Sequence, residues 1–118
     1  MILGPEEIKN RLYKVEELMK SDSNLAKNNF IKEKYFFYMK ALTTINLAQG
    51  NVDFNNGQIA FNWKKVYLEI SNNNELKSSS KIQALVKLLE SFDLKMKPEE
   101  EEKYKKLNDF REKLFKEI

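Results

Sequence analysis

Residues Phe30 to Ala48, FIKEKYFFYMKALTTINLA, form the most apolar and most aromatic stretch of the chain. Ile31, Tyr35, Tyr38, Leu42 and Ile45 recur at i, i+4, i+7, i+11 and i+14, which is one face of an α-helix. A second row, Phe30, Phe37, Ala41 and Ala48, lies beside the first, so the apolar arc is wider than that of an ordinary surface helix. The pattern predicts a central helix over 30–48 with neighbours packed around it. Successive side chains turn by about 100°, so Tyr35, Phe36, Phe37 and Tyr38 encircle the helix. One flat core cannot take all four. Either the helix is packed on several sides, or Phe36, which shares the outlying side with Leu47, is left for a partner.

The remaining segments carry the same period. Gly4-Pro5-Glu6-Glu7 reads as a helix start, with proline at the first helical position and acids at the positive end of the dipole. Ile8, Leu12, Val15 and Met19 form its stripe, and Glu7–Arg11 and Glu16–Lys20 are supportive i,i+4 pairs. Ser21-Asp22-Ser23-Asn24 breaks this helix and offers an N-cap to the next, which is expected to begin near Leu25 and to run antiparallel to the first. Residues 51–63 have two readings. Val52 and Phe54, then Asn56-Gly57, then Ile59, Phe61 and Trp63 spell a β-hairpin, whereas Ile59, Trp63, Val66 and Ile70 spell a helix face. The helix is expected, because a lone two-stranded ribbon is marginal unless packed. Further on, Ser80-x-x-Gln83 matches a capping box ahead of Ile82, Leu85, Leu89 and Phe92. Pro98 and the acids Glu99 to Glu102 open a last helix with the stripe Tyr104, Leu107, Leu114 and Ile118. Its outer face is expected to be laced by Glu99–Lys103, Glu101–Lys105, Glu102–Lys106 and Asp109–Lys113. The sum is an all-α, single-domain antiparallel bundle of four to five helices spanning residues 1–118, with a short β-hairpin near 51–63 as the alternative.

Composition removes several classes of chemistry. The chain has neither Cys nor His, so disulfides, thiolate nucleophiles, imidazole ligands and the commonest general base are all absent. Ser78-Ser79-Ser80-Lys81 pairs serine with lysine only as letters, since a loop closing on a helix cap accounts for it. Carboxylates at Glu99–Glu102 point in different directions on a helix and make no cation cage. Three glycines leave little room for a phosphate loop. The chain is therefore expected to be non-catalytic, with no cofactor and no metal. No signal-peptide pattern precedes Gly4 and no apolar run reaches the length of a membrane span, so a soluble, intracellular protein is expected.

Two binding readings remain. Aromatic residues at Phe36, Tyr38, Trp63 and Tyr67 suit an interaction or assembly surface for another protein or a second copy of the chain. Alternatively, Lys32, Lys34 and Lys40 around the first cluster, and Lys64 and Lys65 beside Trp63, suit phosphate neutralisation with base stacking on nucleic acid, without sequence specificity. Net charge is only +3, and arginine occurs only at Arg11 and Arg111, which disfavours bidentate base reading. The run Glu33-Lys34-Tyr35-Phe36-Phe37-Tyr38-Met39-Lys40, with Asp53-Phe54 further on, is similar to part of the helical N-terminal domain of endosomal deubiquitinating enzymes. That domain is related to microtubule-interacting-and-transport modules, so the resemblance, over a minor part of the chain, implies binding of short helical motifs. Gly50 and Gly57, with Ala60 and Leu68 beyond, resemble fragments of a tetratricopeptide hairpin, but Gly57 and Ala60 are too close for that repeat and no second copy follows.

Overall fold

In the computed structural model, which describes residues 3–53 and 55–117, Pro5 opens α1 (Pro5–Ser21) with Glu6 and Glu7 in its first turn, as the sequence predicts. Phe54 and Ile118, assigned above to a strand and a stripe, lie outside the described residues. The break after α1 holds two caps rather than one. The Asp22 carboxylate accepts from the Asn24 amide at 2.8 Å and starts a short helix, α2 (Ser23–Lys27). Asn28 Oδ1 then accepts from the Ile31 amide at 3.2 Å and starts α3 (Asn29–Thr43). The central stretch thus begins four residues later than the expected Leu25, and α2 is the helix that brings the total to six among the described residues.

α3 also ends before the predicted Ala48. The Thr43 hydroxyl donates back to the Met39 carbonyl at 2.9 Å and Thr44 to Lys40 at 2.7 Å. Such back-bonding, within a β-branched run Thr43-Thr44-Ile45, weakens helix continuation. Buried Asn51 completes the stop, donating to the Thr44 carbonyl at 2.6 Å and accepting from the Asn46 amide at 3.0 Å. Ile45 stays in the core although it is outside the helix.

Residues 51–59 turn rather than coil into a helix. Val52 and Ile59 form one antiparallel bridge, the Asp53 amide donates to the Gln58 carbonyl at 2.7 Å, and Gly57 takes φ +73°. Asn-Gly chemistry prevails because the turn is packed. The Met96 amide donates to the Gly57 carbonyl at 2.7 Å and the Ile59 amide to Leu94 at 2.9 Å. A Cβ on Gly57 would lie 2.6 Å from Lys97 Cγ and 3.0 Å from its backbone nitrogen, so only glycine fits here. The helix expected over this segment starts at Phe61, and Ile59 is not on its face.

The remaining helices are α4 (Phe61–Ser71), α5 (Ser79–Ser91) and α6 (Glu101–Glu117). Ser80 does not cap α5. Gln83 Nε2 and Ser79 Oγ instead donate to the Ser71 carbonyl, at 2.7 and 2.9 Å, and so close the C-terminus of α4. Pro98 stands ahead of α6, where the Glu100 carboxylate accepts from the Lys97 amide at 3.0 Å and pairs with Lys103 at 2.6 Å. Glu7–Arg11 forms at 2.8 Å; among the described residues the other expected i,i+4 pairs do not close.

α1, not α3, is the hub. α2, α3 and α4 all pack on it, α5 packs on α4, and α6 closes on α5. Ile8, Leu12, Met39, Leu42, Val66, Ile70, Ile82, Leu85 and Met96 fill the core they share. Among the described residues no helix is long and apolar enough to cross a membrane. The expected Glu16–Lys20 pair is replaced by a long-range contact. Glu16 is buried, and its carboxylate accepts from the Lys77 amide, the Ser78 amide at 3.3 Å and the Ser78 hydroxyl at 2.5 Å. A carboxylate there satisfies orphan amides at the start of α5 and meets the positive end of its dipole.

Hydrogen bonds to a charged group contribute about 1.5–3 kcal/mol each, and the cost of burying the carboxylate that these three share offsets part of their sum. Glu16→Ala is therefore expected to lower stability by about 3 kcal/mol, read as a fall in the urea midpoint at unchanged slope. A second link ties α1 to α4: Lys9 pairs with Glu69, and the hydrogen bond from Lys9 holds the Glu69 carboxyl below its ordinary value of 4.5. A depressed carboxyl adds stability that is complete above that value and is lost as the pH falls through the lowered one. The difference in urea midpoint between the wild type and Glu69→Gln should hold constant above pH 4.5 and shrink towards zero in more acid solution.

Candidate functional site

The four aromatics singled out in sequence divide between core and surface. Tyr38, Trp63 and Tyr67 are buried. The Trp63 and Tyr67 rings pack at 6.2 Å between centroids, and the Tyr67 hydroxyl donates to the Leu42 carbonyl at 2.7 Å. Burial pushes that phenol far above its usual range, so it stays neutral and serves as a strut between α3 and α4. Tyr35 is buried as well, with Lys77 Nζ 5.1 Å above its ring and the Glu16 carboxylate near enough to add to the upward shift that burial causes. Only Phe36 keeps a surface. It is 38% exposed, packs on Phe115 of α6 at 4.9 Å between centroids, and borders a shallow hollow with Asn29, Lys32 and Glu33.

The surface aromatic character lies on residues that the periodicity had assigned to a second core row. Phe30 and Phe37 are 62% and 56% exposed. Because α3 meets the bundle with one face on α1, the expected wide arc is only partly covered, and these rings stand two turns apart on its outer edge. Lys34 lies between them, its Nζ 5.3 Å from the Phe30 ring, a cation–π geometry. Arg11 of α1 reaches Tyr38, and the Tyr38 ring meets Phe37 edge-on at 5.5 Å. Seven residues further along α1, on the flank that Arg11 occupies, Leu18 is also exposed. Phe30 and Phe37 thus stand on the outward side of α3, and Leu18 is exposed on α1. The signal available in sequence was the alternation of Phe30, Glu33, Phe37 and Lys40 at helical spacing, a charged row rather than a core one.

A second apolar surface lies between α4 and α5. Ile59, Leu68, Val86, Leu89 and Leu94 line a groove of about 250 Å³, with Lys64 of α4 and Glu90 of α5 also in its lining. Phe61, 79% exposed, precedes Lys64 by one turn and Leu68 by two on the same row of α4. The lysines Lys32, Lys34 and Lys40 are exposed on α3 and Lys64 and Lys65 on α4, and among the described residues none of the five is in an ion pair. The structure splits them between two helices that each pack on α1. Among the described residues there is no cluster of acidic side chains of the kind that holds a metal ion. In the run Ser78-Ser79-Ser80-Lys81, Ser79 and Ser78 are buried and engaged with Ser71 and Glu16, and Ser80 is exposed.

Comparisons with protein-family models, curated proteins and solved structures return no match. The likeness of Glu33–Lys40 and Asp53-Phe54 to endosomal deubiquitinating enzymes therefore rests on those residues alone. Gly50 and Gly57, the tetratricopeptide-like pair, are turn residues at φ +79° and +73°, not the close-packed glycines of a helical hairpin.

Burial separates the two kinds of aromatic experimentally. Trp63→Ala should cost about 3–5 kcal/mol, whereas Phe37→Ala should stay within about 0.5 kcal/mol of wild type and Phe36→Ala should fall between them. Urea midpoints of the three variants check this ordering, and a large loss at Phe37 would return that ring to the core.

Proposed function

We propose that this chain is a non-catalytic protein-interaction module whose contact surface is the outer edge of α3. The observation that supports this reading is the pair of exposed rings at Phe30 and Phe37 on one side of α3, with Lys34 between them. Phenyl rings held on a helix give large contact area at small entropic cost, since the scaffold is already ordered. The lysines Lys34 and Lys40 on the same helix favour a partner carrying carboxylates beside its apolar residues. A short amphipathic helix with acidic flanks meets both requirements, through anchors at i, i+3 or i+4, and i+7.

The second reading, nucleic-acid binding without sequence specificity, draws support from five exposed lysines free of ion pairs among the described residues. It predicts affinity that falls steeply with salt, because each neutralised phosphate releases counterions.

A photo-crosslinking residue at position 37, with one at Asn24 as control, tests the first reading in the cells that make the protein. A discrete protein adduct from position 37 alone, lost when Phe30→Ser is added, is the expected result; equal labelling from both positions would refute it. Fluorescence anisotropy of labelled single- and double-stranded oligonucleotides, at low and physiological salt, tests the second. Binding that vanishes with salt and with Lys64→Glu plus Lys65→Glu would put nucleic acid first; no binding at low salt removes it.

A further inference from the structure

The α4–α5 face carries a knob, a hole and two opposite charges side by side. The knob is Phe61, the most exposed large apolar side chain among the described residues. The hole is the adjoining groove, whose volume of about 250 Å³ lies below the roughly 300–1,000 Å³ of sites for small organic ligands and suits an inserted side chain. Lys64 on α4 and Glu90 on α5 flank it, and among the described residues neither is in an ion pair. A two-fold axis brings each surface patch onto its own copy, so a face with both halves of a contact is self-complementary.

We propose that two copies of the chain pair through this face about a two-fold axis. Phe61 of each copy enters the groove of the other, and Lys64 of each meets Glu90 of the other. The occupant is a second copy rather than a foreign helix because the face supplies both members of each pair. A foreign partner would need only the hole, and would leave the charge pattern and the adjacent ring without a reciprocal role. This surface is separate from the edge of α3, so self-pairing and partner capture can coexist, and the proposal does not depend on that reading.

Sedimentation equilibrium of the full chain across micromolar concentrations tests it. The wild type is expected to reach a dimer, and Phe61→Asp to stay monomeric; diluted below the pairing range, the two should share one urea midpoint, since the ring is exposed in the single chain. Lys64→Glu and Glu90→Lys should each weaken pairing at least about tenfold, because each places two like-charge contacts across the axis. Mixed in equal amounts, the two single variants should form a heterodimer in which both contacts are again opposite in sign. Phe30→Ser with Phe37→Ser should leave pairing intact. A wild type that remains monomeric overturns the proposal. So does a dimer indifferent to both charge reversals, or one abolished by the α3 substitutions.

Discussion

The buried carboxylate of Glu16 sets the arrangement of the bundle. It leaves the hub helix α1 and meets the amides of Lys77 and Ser78 at the start of α5, about sixty residues away in sequence. A desolvated charge tolerates few positions, so once α1 is in place the N-terminus of α5 is held at that one point. The start of α5 in turn closes the end of α4, because Ser79 and Gln83 donate to the Ser71 carbonyl. One polar contact thus connects three helices. Hydrophobic burial supplies most of the stability; the carboxylate selects the register.

The hub position of α1 explains the surface. A helix covered on two sides by α3 and α4 leaves each of those neighbours an outward face. On α3 that face carries Phe30 and Phe37, and on α4 it carries Phe61 and Leu68. Both rows alternate with lysine, which keeps the rings apart and hydrated. The most exposed rings, Phe30 and Phe37 on α3 and Phe61 on α4, are therefore divided between two helices rather than gathered in one patch.

The turn at 53–58 illustrates how local chemistry and tertiary packing combine. Asn56-Gly57 favours a tight reversal by itself, but a lone ribbon has too little to bury. Packing of Gly57 against Lys97, together with the amide of Met96 on its carbonyl, anchors the reversal to the connector before α6. The same connector holds Asp93 and Leu94 at positive φ, so the two irregular segments support each other through backbone hydrogen bonds.

The all-α class, the helix stripes through Leu12, Leu42, Val66, Leu85 and Leu107, and the break at Asp22 were legible in the amino-acid order. They depend on interactions within a turn or two of helix: periodicity, capping and proline geometry. The inability to build thiolate or imidazole chemistry was legible too, since composition alone decides it. What the order of residues left open was which side of each helix is covered. Phe37 and Tyr38 are adjacent aromatics with the same local preferences, yet one is exposed and the other buried. Trp63 and Tyr67, which resemble surface anchors in sequence, became struts of the core for the same reason. Glu16 resembled an ordinary helix-surface acid until Ser78 was brought to it. Such outcomes depend on which distant segment arrives, and only the tertiary structure decides that.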